Sequence, residues 1–191
     1  MIVENVSKRP GKRVHVVQGE HHVTRDPETV LTTILGSCVA VCLRDSESGI
    51  GGMNHFLLPD GKAEGLDEGR RYGAYAMELL INEMMKRGAS RMTMEAKVFG
   101  GGQVVAGMTT MNVGERNTTF VMDYLKTERI PVVSKDVLDV YPRKVCYLPG
   151  SGKAMVKRLA PTNTDSLVAQ DRAAAQRAVP AATGGGSVDL F

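Results

Sequence analysis

Three cysteines, Cys38, Cys42 and Cys146, are the first candidates for chemistry in this sequence. An odd number of cysteines, with two only four residues apart, does not suit a disulfide framework. A zinc site is not indicated either, because no second pair of Cys or His ligands follows at metal-binding spacing. A reduced thiol can instead act as a nucleophile when a histidine takes its proton.

A predicted β-hairpin supplies the segments that position one of these thiols. Residues 30–43 and 50–58 are rich in small, apolar and β-branched residues, and residues 45–49 between them form a turn cluster. With the turn centred on Ser46 and Glu47, the numbers of cross-strand partners sum to 93.

That register places His55 directly opposite Cys38, whereas Cys42 faces Gly51, which offers no base. Directly opposed residues have Cβ atoms about 4.5–5.5 Å apart, so a thiol and an imidazole could meet. Gly36, two residues before Cys38, permits an unusual turn in which backbone N–H groups could face a developing oxyanion. The alternative is that Cys38 is a small core residue.

Two glycine-rich stretches do not indicate nucleotide binding. Gly150–Lys153 is followed by Ala154 where a phosphate-binding loop requires Ser or Thr. Gly100–Gly102 follows a predicted strand but has no acidic residue at the spacing of a dinucleotide site. We expect Gly100–Gly102 to form a tight turn where two backbone segments pass closely.

Composition narrows the class of protein. The chain has 191 residues and a net charge of 24 − 21 = +3, with 9 aromatic residues (5 Tyr and 4 Phe), which does not favour nucleic-acid binding. No apolar run is long enough to span a bilayer, and no secretory signal is recognised at the start. The expected location is the cytoplasm.

The remaining pattern predicts a single α+β domain. Predicted helices cover 70–87 and 115–127, where apolar residues recur at helical spacing. Further strands are predicted at 14–18, 92–98, 130–134 and 144–148. We expect an N-terminal arm at 1–13, a folded domain at 14–160 and a flexible tail at 161–191.

The last residues of the predicted tail, Val188, Leu190 and Phe191, are apolar. We expect these side chains to dock into a groove on this chain or on a partner, because they would otherwise leave apolar area in water.

The Leu-Gly-Ser-Cys motif at 35–38 is followed by a histidine 17 residues later. This combination resembles the CheD family of chemoreceptor glutamine deamidases. Other similar stretches are Thr32–Val41, Gly52–Pro59, Lys97–Gly102 and Asn112–Asn117.

The resemblance implies a layered α/β/β sandwich and conversion of receptor glutamines to glutamates in bacterial chemotaxis. It assigns Cys38 as nucleophile, His55 as general base and acid, and Thr32 as the third catalytic member. No cofactor or metal is implied. The implied partners are methyl-accepting chemoreceptors and a CheC-type phosphatase.

Two other functions remain open at this point. The chain could be a non-catalytic adaptor that binds chemoreceptors or a CheC-type phosphatase, or a cysteine protease or amidase acting on other substrates. The presence of both Cys38 and His55 favours an enzyme, because an adaptor has no need of such a pair.

Overall fold

The computed structural model describes residues 11–59, 66–103 and 113–160, and within that part the chain forms nine strands and two longer helices. Five strands precede the first helix and three follow the second, instead of alternating with helices, which confirms the α+β class. The bounds are β1 Arg13–His15, β2 His21–Thr24, β3 Val30–Leu35, β4 Val39–Asp45, β5 Gly51–Phe56, α1 Leu66–Lys86, β6 Met94–Gly100, α2 Val113–Thr127, β7 Val132–Val137, β8 Arg143–Leu148 and β9 Lys153–Arg158.

The strands form two sheets. One has four strands in the order β1-β3-β8-β9, and the other has five in the order β2-β5-β4-β6-β7. The two helices pack on the five-stranded sheet, with α1 against β2 and β5 and α2 against β4 and β6. The order of layers is therefore four-stranded sheet, five-stranded sheet, helices, which confirms the predicted α/β/β sandwich.

Two apolar clusters hold the layers together. One lies between the helices and the five-stranded sheet and includes Met77, Leu80 and Val121. The other lies between the sheets and includes Leu31, Leu35 and Tyr147. Since β4 is central in its sheet and covered on both faces, its residues form a nearly continuous apolar run instead of an alternating one.

The structure corrects the prediction that 30–43 is one strand. The chain leaves the four-stranded sheet after Leu35 and enters the five-stranded sheet at Val39, with a turn between them. The strands β2 and β9 were not predicted. Both helices were, and each begins a few residues earlier than expected.

Among the described residues, no helix is long and apolar enough to cross a membrane. Residues 1–10 of the predicted arm (1–13) and the predicted tail at 161–191, with Val188, Leu190 and Phe191, lie outside the described residues.

Candidate active site

The turn Gly36–Cys38 connects the two sheets, and its backbone is held at three consecutive carbonyls. The Gly36 oxygen accepts from the Gly102 N–H at 2.9 Å, and the Cys38 oxygen accepts from the Gly101 N–H at 2.7 Å. The Ser37 oxygen between them accepts from Asn117 Nδ2 at 2.8 Å. All three donors belong to the Gly100–Gly102 segment or to α2, and together they fix the orientation of this turn.

The Gly100–Gly102 segment is the close backbone passage expected from sequence. A Cβ on Gly100 would lie 2.2 Å from the Cys38 carbonyl oxygen, and the Gly100 φ of +106° is one that other residues rarely adopt. The buried Arg143 guanidinium supports the segment by donating to the Gly100 carbonyl at 2.7 Å.

Cys38 lies at the edge of the cluster between the sheets, with 8% of its surface exposed. Its thiol donates a hydrogen bond to Gln18 Oε1 at 3.3 Å. Sequence reasoning missed Gln18, because nothing in its spacing indicates that the chain before β2 returns to Cys38.

The register between β4 and β5 differs from the prediction. His55 lies opposite Ala40, and the partner numbers sum to 95 instead of 93. The prediction that Cys38 and His55 are directly opposed is therefore wrong. Because Cys38 and Ala40 are two residues apart, Cys38 and His55 are diagonal neighbours on one face, a relation that typically separates Cα atoms by about 7–8 Å.

The cause of the shift is the length of the turn. The Asp45 N–H donates to the Ile50 carbonyl at 2.9 Å, so these two residues close a turn of four residues instead of pairing around Ser46 and Glu47. The Asp45 carboxylate stabilises the turn by accepting from the Ser48 hydroxyl at 2.7 Å and from the Glu47 N–H at 3.0 Å.

His55 is fully buried, and its Nδ1 atom has two oxygen neighbours. Thr33 Oγ1 lies at 2.9 Å and the Val16 carbonyl at 3.3 Å. The Thr33 hydroxyl itself donates to that Val16 carbonyl at 2.8 Å, so its lone pair is directed to an N–H on Nδ1. We assign the proton of the neutral ring to Nδ1 on this basis, which makes Nε2 the basic atom.

Burial lowers the pKa of His55 to about 4. The ring is therefore neutral near pH 7 and able to accept a proton. The hydrogen bond to the Val16 carbonyl opposes this lowering, because it stabilises the charged ring.

The structure brings Thr33, and not Thr32, to His55. Adjacent strand residues point to opposite faces, and Thr33 is buried between the sheets. Thr32 Oγ1 instead lies 3.4 Å from His15 Nδ1 at an exposed position. Of the three residues assigned by resemblance, Cys38 and His55 share a face, and Thr32 does not reach them.

The segment before β2 is attached to the backbone of His55. The Gly19 N–H donates to the His55 carbonyl at 2.7 Å, and the His55 N–H donates to the Glu20 carbonyl at 3.0 Å. With the Val16 carbonyl at the ring, the chain on either side of Gln18 is anchored to the histidine. This attachment is what places the Gln18 carboxamide at Cys38.

The other two cysteines are poor nucleophiles in this setting. Burial raises the pKa of the Cys42 thiol far above its ordinary value, and it raises the pKa of Cys146 as well. Neither forms a disulfide bond. In the described part of the chain, no three His, Cys, Asp or Glu residues are grouped as a metal site would require.

A cysteine beside a buried histidine whose Nδ1 is held by a hydroxyl, on an α/β/β sandwich, defines a candidate cysteine-dependent acyl-transfer site. Comparison with known proteins then places the chain: a family model described as "CheD chemotactic sensory transduction" matches residues 57–158. The chain belongs to the CheD family. That match begins after His55, so it does not depend on Cys38, His55 or Thr33.

Relatives that match most of the chain support this family assignment. "Probable chemoreceptor glutamine deamidase CheD 1" of Albidiferax ferrireducens is 57% identical, covering 93% of this chain and 75% of that protein. The protein of the same name in Dechloromonas aromatica is 55% identical over 82% of this chain and 78% of its own. "Probable chemoreceptor glutamine deamidase CheD" of Thiobacillus denitrificans is 51% identical, with 92% and 88% covered.

Proposed function

We propose that this protein is a glutamine deamidase that converts glutamine side chains of bacterial chemoreceptors to glutamate in chemotaxis signalling. The observation that carries the proposal is the buried His55 ring, whose Nδ1 is held by Thr33 on the face shared with Cys38. The names of the relatives, which specify chemoreceptor glutamine deamidation, support the choice of substrate.

In the first step, His55 Nε2 takes the thiol proton and Cys38 Sγ attacks the side-chain carbonyl carbon of the glutamine. The carbonyl oxygen becomes an oxyanion, which backbone N–H groups of Ser37 and Cys38 stabilise. The imidazolium then protonates the leaving nitrogen, the C–N bond breaks and ammonia departs. A thioester between Cys38 and the former glutamine side chain remains.

In the second step, His55 takes a proton from water, and the resulting hydroxide attacks the thioester. The C–S bond breaks, and the thiol recovers its proton from the imidazolium. The carboxylic acid that forms loses its proton to solvent at neutral pH and is released as glutamate. The residues provide every proton transfer, so the chemistry requires no cofactor. Each turnover adds one negative charge to the receptor and creates a site that can accept a methyl group.

Thr33 takes the third role in this proposal, in place of Thr32. Its hydroxyl oxygen accepts from Nδ1–H, which keeps the ring oriented and Nε2 unprotonated in the resting state. The same contact and the Val16 carbonyl stabilise the imidazolium that forms during each step. Both acceptors are buried, where such hydrogen bonds are stronger than in water.

The proposed location is the cytoplasm, where the signalling domains of chemoreceptors lie. A CheC-type phosphatase is a proposed second partner. The adaptor function remains the alternative to catalysis and predicts receptor binding without a change in receptor mass.

The test incubates the protein with cytoplasmic fragments of the cell's own chemoreceptors and identifies the product by mass spectrometry. We expect a gain of about 1 Da on specific glutamines together with released ammonia. Cys38→Ala should abolish this reaction, whereas Cys42→Ala and Cys146→Ala serve as matched controls and should retain most of it. Activity in Cys38→Ala would contradict the mechanism, and peptide cleavage or an unchanged mass would contradict deamidation.

A further inference from the structure

Asn117 on α2 is a fully buried polar residue that bonds the backbone on both sides of the candidate site. Its Nδ2 donates to the Ser37 carbonyl at 2.8 Å, and its Oδ1 accepts from the Leu58 N–H at 3.0 Å. Ser37 immediately precedes Cys38, and Leu58 follows His55 by three residues. One side chain therefore connects the two chain segments that carry the nucleophile and the base.

The two contacts use both polar atoms of the side-chain amide. One backbone partner is an acceptor and the other a donor, and Asn117 meets them with its N–H and its oxygen. These partners also fix which amide atom is nitrogen. An aspartate at this position keeps the oxygen for Leu58 but places a second oxygen against the Ser37 carbonyl.

The Ser37 carbonyl matters because of the peptide plane to which it belongs. The carbonyl of one residue and the N–H of the next lie in one rigid plane and point in opposite directions. Holding the Ser37 oxygen against α2 therefore directs the Cys38 N–H away from α2. The bonds of Gly36 and Cys38 to Gly102 and Gly101 hold the neighbouring planes in the same way.

We propose that Asn117 is a positioning residue that holds the Ser37–Cys38 peptide plane so that the Cys38 N–H is oriented for the oxyanion before substrate arrives. This inference rests on the proposed deamidase function. It assigns Asn117 to stabilisation of the tetrahedral intermediate and not to ionisation of the thiol, which is the proposed task of His55. Loss of the Asn117 amide should therefore slow acyl transfer and leave the reactivity of the thiol unchanged.

The experiment compares two reactions of the same thiol in Asn117→Asp. Deamidation of the receptor fragment requires the oxyanion donors, whereas alkylation of Cys38 by iodoacetamide does not. At pH 8 we expect kcat to fall about 10- to 100-fold, in line with the effect of a disturbed oxyanion donor. KM and the alkylation rate of Cys38 should stay within about threefold of the wild type.

Asn54→Asp is the matched control. Asn54 is also a buried amide that donates through Nδ2, to the Ala76 carbonyl at 3.2 Å, and accepts through Oδ1, from the Val41 N–H at 3.1 Å. It has the same chemistry but contacts α1 instead of the Ser37 carbonyl. We expect this variant to lose thermal stability to a similar degree and to keep kcat within about threefold.

Three results would overturn the proposal: an unchanged kcat in Asn117→Asp, a parallel loss of kcat and alkylation, or an equal loss of kcat in Asn54→Asp. If Asn117→Asp does not fold, Asn117→Ala is measured by the same criteria, and failure of both to fold shows a purely structural residue. A wild type that releases no ammonia would instead overturn the proposed function. An active wild type with an unaffected Asn117→Asp overturns the positioning role alone.

Discussion

Replacing Thr33 by valine removes one hydroxyl from the candidate site while keeping the size and branching of the side chain. The change deletes the acceptor 2.9 Å from His55 Nδ1 and the donor to the Val16 carbonyl. The ring keeps the Val16 carbonyl at 3.3 Å as a more distant acceptor. Thr32→Val is the matched control, since it deletes the same group one residue earlier, at a contact with His15.

The size of the effect depends on the charge of the ring. With a neutral ring, a hydrogen bond contributes about 1 kcal/mol, so we expect a similar loss in the free energy of unfolding. In the transition state the ring becomes cationic, and a hydrogen bond to a charged group contributes about 1.5–3 kcal/mol. Because about 1 kcal/mol is lost with the neutral ring as well, the difference that affects kcat is about 0.5–2 kcal/mol. At about 1.4 kcal/mol for each factor of ten, kcat should fall about 2- to 30-fold.

The assay measures ammonia release from a receptor fragment over a range of substrate concentrations, together with a thermal unfolding curve for each variant. Thr33→Val should lower kcat, and Thr32→Val should stay within about twofold of the wild type. The reasoning fails if Thr32→Val has the larger effect, or if Thr33→Val retains its kcat. In either case the contact with His55 would not orient the base.

Two further predictions concern the protonation of His55 and of the Cys38 thiol. The pKa of His55 is about 4 in the folded state against an ordinary 6.5. As the pH falls, the unfolded chain therefore takes up a proton at this histidine before the folded protein does. The free energy of unfolding should decrease by about 3 kcal/mol between pH 6.5 and 4. Urea titrations should show a shallower decrease in His55→Asn, and an equal slope in both proteins would contradict the assignment. Gln18→Glu places a carboxylate against the Cys38 thiol, disfavours the thiolate, and should slow iodoacetamide labelling at pH 7 about tenfold. Gln18→Met, which lacks the charge, is the control, and equal labelling of Gln18→Glu and the wild type would show that Gln18 does not face the thiolate.

Sequence reasoning identified Cys38 and His55 because both belong to segments that form adjacent strands of one hairpin. It missed their relative register, since the four-residue turn depends on hydrogen bonds of the Asp45 side chain that spacing does not reveal. The two residues nevertheless share a face, because the predicted register was wrong by two residues and side chains alternate with a period of two.

Thr32 and Thr33 show a second feature of the site that the sequence alone does not determine. Strand alternation requires adjacent threonines to face opposite sides, but the pattern of β3 alone does not tell which side faces His55. That choice depends on how the four-stranded sheet packs on the five-stranded one. Gln18 and Asn117 were missed for the same reason, since their contacts also depend on how distant parts of the chain pack together. Asn117, for example, contacts Ser37, which is 80 residues away in the sequence.

The placement of Cys38 where the chain crosses between sheets has a consequence for folding. Thr33 belongs to the four-stranded sheet, whereas the strands that flank Cys38 and His55 belong to the five-stranded sheet. The complete site therefore exists only after the two sheets have associated. A partly folded chain with only the five-stranded sheet formed therefore lacks the Thr33 contact that orients His55. Pulsed labelling of Cys38 during refolding would therefore report when the two sheets associate, separately from the formation of secondary structure.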